Sequence, residues 1–129
     1  MVSRIEEELA LLRRHYERVD FIDRNQTLWF CVHGYQLFEP CSLQEISVVF
    51  SISVGFPGTD PYGFFVPGEL TYDGQAYIGK TTPSPPPFPG KWQFFSWAPE
   101  QWDPSYDILT GDNLWGWVRS FSERLGEGP

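Results

Sequence analysis

The sequence predicts an α+β fold on three observations: an amphipathic stripe at the N-terminus, a run whose apolar residues recur at every second position, and a second helical repeat near the end. At 129 residues the chain fits a single domain, 1–129, large enough to bury roughly two-thirds of the surface its unfolded form exposes. Hydrophobic residues make up 41% and aromatics 18%, enough apolar area to offset the ordering entropy and to exclude a disordered tail.

Ser3-x-x-Glu6 is a capping box, and behind it Ile5, Leu9, Leu12, Tyr16 and Val19 recur at steps of four, three, four and three, the stripe of one helix. Its other face carries Arg4, Glu7, Arg14 and Arg18, which either keep the helix solvated or dock a partner. From Thr27 the period changes. "TLWFCVHGYQLF" and "EISVVFSISVGF" are rich in β-branched and aromatic residues and bounded by Asn25, Pro40 and Pro57, as strands are. In the second, Ile46, Val48, Phe50, Ile52 and Val54 alternate with Ser47, Val49, Ser51 and Ser53, so one sheet face should lie under a helix and the other should be wetter.

"FPGTDPYGFFV" then breaks the ladder with Pro57, Gly58 and Pro61, while Phe56, Tyr62, Phe64 and Phe65 pack it down as an ordered crossing loop and a short strand. "TTPSPPPFPG", residues 81–90, favours an extended conformation and reads as a stiff surface connection rather than a ligand for an aromatic groove. Beyond the aromatic cluster from Trp92 to Trp102, Asp112 can cap a last helix carrying Leu114, Trp117, Val118, Phe121 and Leu125, stopped by Gly126 and Gly128. Gly116 weakens that helix, so packing must hold it.

Nine Lys plus Arg against seventeen Asp plus Glu give a net charge of −8, which opposes approach to nucleic-acid phosphates or anionic lipid. Neither nucleic acid nor membrane is therefore an expected partner. No apolar run is long enough to span a bilayer, and the acids scattered through the first twenty residues are unlike a secretory or transit peptide, so a cytoplasmic location is expected. Cys31 and Cys41 are too few for a disulfide framework. Together with His15 and His33 they offer no CxxC or HxxxH spacing, so neither a metal nor another cofactor is expected. Nucleotide, zinc-protease and serine-hydrolase signatures are absent as well. Asp103 and Asp107, four apart, read as capping residues.

The order of elements and three stretches carry a resemblance to a known family. "VVFSISVGFPGTDPYGFFV" resembles the third strand and following Phe-Pro loop of ubiquitin-conjugating (E2) proteins. "WDPSYDILT" resembles their Trp-Pro stretch before the next helix, and "GKWQFFSWAPEQW" is similar to the Trp-rich segment of the bacterial branch, prokaryotic E2 family E. The resemblance implies a UBC-like fold: an N-terminal helix, a four-stranded antiparallel meander, an irregular Pro- and Trp-rich segment and a C-terminal helix. It implies as partners an E1-like adenylating enzyme and a ubiquitin-like protein, with a JAB-type peptidase as a further candidate.

The same resemblance places a catalytic cysteine where this chain has Phe94, Phe95 and Ser96, and the His-Pro-Asn segment that accompanies such a cysteine is missing. A thiol is partly ionised near neutral pH and a serine hydroxyl is not, so the substitution removes the nucleophile unless a base activates the hydroxyl. Ser96 is thus open to three readings: an oxyester-forming nucleophile, an incidental residue in an adaptor that lacks the thioester chemistry, or a structural residue in an unrelated α+β module. The adaptor is preferred. Trp92, Trp97 and Trp102 are its candidate partner-binding anchors, since tryptophan concentrates at interfaces, and Arg4, Arg14 and Arg18 would face the E1-like partner.

Overall fold

The computed structural model describes residues 3–77 and 84–129. The chain runs through α1 (Arg4–His15), β1 (Arg18–Arg24), β2 (Thr27–Gln36), β3 (Glu45–Ser53), β4 (Phe64–Pro67), a small hairpin of β5 (Thr71–Tyr72) and β6 (Gln75–Ala76), β7 (Trp92–Phe95) and α2 (Leu114–Gly126). Five of the strands form one antiparallel sheet in the order β1-β2-β3-β4-β7. The architecture is α+β, with a helix at each end, and the sheet has five strands rather than the four expected.

Two of the five strands lie where the sequence led to another expectation. β1 occupies residues that the helical stripe had assigned to the first helix: Ser3 does cap α1, but Tyr16 takes extended backbone and Val19 is buried in the strand. The chain can turn back there because Asn25 and Gln26 adopt positive φ of 52° and 64°, a two-residue turn that sets Arg24 opposite Thr27. β7 forms inside the Trp-rich stretch expected to be irregular, pairing Phe64 with Phe95 and Pro67 with Trp92.

Both helices cover one face of the sheet. Leu12 of α1 and Leu114, Trp117, Val118, Phe121 and Leu125 of α2 meet Phe30, Phe50 and Phe64 in a single core. Phe121 is fully buried at its centre, its ring 4.1 Å from that of Phe64 and 6.0 Å from that of Phe50. Burial of such a ring stabilises the fold by roughly 1.5–3 kcal/mol. The opposite face is not simply wetter: Cys31, Val49 and Phe65 form a second apolar cluster, roofed by Trp29, Phe88, Trp92 and Phe94. Within the proline-rich run, residues 81–83 lie outside the described residues. Phe88 belongs to this roof, so the remainder packs as well as connects.

The two helices are joined by a buried charge. Glu8 of α1, with no exposed surface, accepts from Arg4 Nε at 2.9 Å and from the Leu114 backbone N–H at 2.8 Å. It therefore satisfies a free amide in the first turn of α2, where a negative charge is favoured. Burial still raises its carboxyl above the ordinary range, against the pull of those two bonds. The N-cap itself is Asn113, whose side chain accepts from Gly116 N–H, and not Asp112 as expected; Asp112 instead accepts from Asp103 N–H within the preceding loop.

Candidate functional site

The stretch after β7 is placed by the Phe-Pro loop. Gly63 N–H donates to the Trp97 carbonyl at 2.8 Å, and its φ of +77° together with the Phe94 ring beside it leaves no room for a side chain. Trp102 folds back onto the same loop, its ring 5.7 Å from that of Phe56 and its Nε1 donating to the Pro57 carbonyl at 2.8 Å. Trp97 is fastened on the other side, where its Nε1 donates to Ser120 Oγ of α2 at 3.0 Å. Each of these bonds contributes about 1 kcal/mol. Together they hold both indoles in place.

Between this stretch and α2 lies an open cleft of about 510 Å³. Trp97, Trp102 and Trp117 form its aromatic walls, and Glu100, Asp112, Glu123 and Glu127 place four carboxylates around them. Among the described residues no lysine, arginine or histidine lines it. Of the nearby cations, Arg119 lies 4.0 Å over the Trp115 ring, while Arg124 lies 4.8 Å over Phe95 with its Nη1 4.0 Å from Glu127 Oε1. Among the described residues no ion pair engages Glu100 or Glu123. Trp117 is only 3% exposed, and its Nε1 is a buried donor without a partner among the described residues. An unsatisfied donor of this kind costs about 1–3 kcal/mol.

Ser96 is exposed immediately after β7. Among the described residues neither histidine is hydrogen-bonded to it. His15 stacks on Trp115 with ring centroids 3.6 Å apart, and His33 has both ring nitrogens occupied elsewhere. His33 Nδ1 lies 2.8 Å from Ser47 Oγ, and Nε2 lies 2.8 Å from Asp20 Oδ2, a carboxylate, imidazole and hydroxyl in one row across β1, β2 and β3. A bulge produces the row. His33 and Gly34 together oppose Ser47, between the pairs Val32 with Val48 and Tyr35 with Ile46, and Gly34 has a φ of +77°. His33 holds the Asp20 carboxyl below its ordinary value, with a smaller contribution from Arg18.

The other candidate residues fall in separate places. Trp92 lies on the second face of the sheet, its Nε1 donating to the Phe88 carbonyl at 3.2 Å, and so does not join Trp97 and Trp102. Arg4 is turned inward, bonded to Glu8 and to the carbonyls of Ser105 and Asp112. Arg18 is on β1 rather than on the helix, 3.1 Å from Asp20. Arg14 alone of the three is both exposed and on α1, beside a shallow hollow lined by Leu11, Ile108 and Leu109.

Cys31 is buried, and burial, aided by the Asp20 charge, pushes its thiol up to about 12, so it carries essentially no thiolate at neutral pH. Among the described residues no group of three or more metal-ligating side chains converges, and no helix is long and apolar enough to cross a membrane. No family model matches this chain, and no curated protein or solved structure matches it either.

The carboxylates of the cleft, the unpartnered Trp117 donor and the Asp20–His33–Ser47 row were all missed in the sequence. Trp117 sits in a helical repeat that explains it fully as core. The row depends on a bulge that only Gly34, between two strand-like runs, could have signalled.

Proposed function

We propose that this chain is a binding adaptor of E2-like type in a bacterial ubiquitin-like modification pathway, holding an E1-like adenylating enzyme and a ubiquitin-like protein without itself carrying a thioester. The observation that carries the binding half is the cleft between the Trp97–Trp102 stretch and α2, walled in part by Trp97 and Trp102, whose indole N–H groups are already tied down. Fixed aromatic walls reduce the ordering cost of association, which is what a docking site requires. The non-catalytic half is supported by Ser96, which has an exposed hydroxyl and no histidine beside it, and by the buried, un-ionised Cys31. The E2-like character rests on the motif resemblance and on the order of helix, antiparallel sheet, Trp-rich segment and helix.

The test mixes the chain with an E1-like enzyme and a ubiquitin-like protein from the same genome, with ATP, and follows size-exclusion elution and intact mass. A stable complex without a covalent adduct is expected, weakened by Trp102→Ala and unaffected by Ser96→Ala. An adduct released by hydroxylamine and abolished by Ser96→Ala would replace the adaptor with an oxyester-forming enzyme. No complex with either protein would remove the pathway assignment.

A further inference from the structure

We propose that Ser47, His33 and Asp20 form a hydrolytic site on the second face of the sheet, where Ser47 Oγ attacks a short-chain carboxylic ester, His33 is its base and Asp20 orients the base. The site is independent of the adaptor reading and shares no residue with the cleft beside α2. Parity gathers the three side chains. His33 and Ser47 stand two residues from Cys31 and Val49, and Asp20 is directly opposite Cys31, so all three project from the face that the helices leave free. The hydrogen bonds then assign the roles. An ionised carboxylate can only accept, so the proton on His33 Nε2 is donated to Asp20 Oδ2, 2.8 Å away. A neutral imidazole protonated at Nε2 has its lone pair at Nδ1, which makes the Ser47 hydroxyl, 2.8 Å from it, the donor. That is the protonation pattern of a nucleophile, its base and an orienting carboxylate. The row is also reachable: the side chains of Asp20 and His33 are 34% and 32% exposed, and Ser47 is half-buried, whereas a purely bracing network would be sealed.

The surroundings select the substrate. Counting from the pair of Val49 with Phe65, Ser47 is level with Pro67, which pairs with Trp92. Trp92 therefore rises from the same face two strands away, on the order of 10 Å from Ser47, and with Phe88 and Phe94 makes an apolar wall against which a few carbons of an acyl chain can lie. The other end of the row is polar, where Arg18, 3.1 Å from Asp20, sets a positive charge of the sign that a developing oxyanion needs. In the reaction the bond from Ser47 Oγ to the carbonyl carbon forms as the Oγ proton passes to Nδ1. The bond to the alcohol oxygen then breaks, and the departing alcohol takes that proton. Water attacks the acyl-serine, its proton passing through Nδ1 to Oγ as the acid is released, so ester and water become acid and alcohol. An ester suits so open a site better than an amide, because its leaving group departs with less stabilisation.

The full chain is treated with a fluorophosphonate–rhodamine probe, whose phosphorus bonds to a reactive serine oxygen with loss of fluoride, and separately with p-nitrophenyl butyrate. One adduct is expected, mapped by mass spectrometry to Ser47, absent in Ser47→Ala, formed about a hundredfold more slowly in His33→Gln and unchanged in Ser51→Ala on the same face. Butyrate hydrolysis should fall in step. Asp20→Asn, a change at a positioning residue, should lower kcat about tenfold with KM within about twofold. In nitrogen-15 histidine spectra the native chain should show His33 protonated at Nε2 alone, and Asp20→Asn a mixture of both tautomers. Ser47→Cys separates loss of the nucleophile from loss of the fold, since it keeps an attacking atom and should still release p-nitrophenol. No adduct on the native chain, an adduct that survives Ser47→Ala or is shared with Ser51 and Ser96, hydrolysis unchanged in His33→Gln, or native His33 protonated at Nδ1 would each overturn the proposal. So would a folded Ser47→Cys chain as inert as Ser47→Ala.

Discussion

Strands β2 and β3 pair from Thr27 to Gln36 by a repeating ladder of backbone bonds, whereas residues 96–113, between β7 and α2, are held one contact at a time. In the ladder each pair is backed by its neighbours, and the aromatic core beneath reinforces them all. In the segment the contacts are individual: Arg4 to the Ser105 and Asp112 carbonyls, Trp102 to Pro57, Trp97 to Ser120, Asn113 to the Ile108 carbonyl. The cleft lies along the second kind of structure. A wall built this way can be shaped without disturbing the core, and it can also be lost by removing one anchor.

The largest break in that contrast is at Glu8, which ties α1 to the first turn of α2 while its partner Arg4 ties α1 to the loop. Glu8→Ala leaves the mostly buried Arg4 charge without its carboxylate and the Leu114 amide without its acceptor, and should cost about 3–5 kcal/mol in urea unfolding. Glu8→Gln should cost markedly less, because an amide oxygen can still accept from Leu114 N–H and because burial already disfavours the charged carboxylate. Equal losses for the two variants would mean that the charge, and not the acceptor, joins the helices.

Trp102→Phe sharpens the comparison by removing one anchor and little volume. Global stability should fall by about 1 kcal/mol, while amide exchange quickens selectively in residues 97–113 and at Gly63. A uniform acceleration that included β2 and β3 would show that the segment and the sheet open together.

Gly116→Ala separates stability from recognition on α2. A Cβ there meets nothing closer than Asn113 Oδ1 at 3.7 Å, so the substitution should stabilise the helix by about 0.5–1 kcal/mol. Gly116 also lines the cleft, and the added methyl should therefore weaken the partner complex even as the melting temperature rises.

The smallest effect belongs to the polar row on the sheet. Asp20 is about a third exposed, so its pairing is worth no more than about 1 kcal/mol. Its carboxyl titrates below the ordinary value in the folded chain, so its contribution is complete above the unfolded carboxylate range and is lost as pH falls through the lower, folded value. The stability difference between the native chain and Asp20→Asn should be flat above about pH 5 and shrink below about pH 4. A difference that grew on acidification would reverse the assigned sign.

The same division explains what could be read in advance. Alternation in Glu45–Ser53 and the repeat from Leu114 to Leu125 report burial against a layer, and both elements appear where that periodicity puts them. β1 was hidden because the three-residue step from Tyr16 to Val19 continues the helical stripe, and because its turn carries Gln26 at a positive φ where glycine would have announced a hairpin. The small hairpin of β5 and β6 did carry such a mark in Asp73-Gly74, with φ of 50° and 77°. The cleft was legible only as a concentration of tryptophan. Which indole faces Phe88 and which faces α2 is set by strand parity in β7, where Trp92 and Phe95 point to opposite sides, and a stretch read as irregular has no parity. Likewise Arg4 belongs to the outer face by helical spacing, and only the return of residues 105–112 over α1 turns it into an internal contact.

The cleft's role is tested most directly by the indole N–H resonances of Trp97 and Trp102, assigned in the labelled chain and followed as the E1-like enzyme or the ubiquitin-like protein is added. If the cleft is the docking face, both resonances move and saturate together, while the indole of Trp92 on the far face stays still. Resonances of Trp97 and Trp102 that do not move while the complex forms, or a shift shared equally by Trp92, would contradict the account.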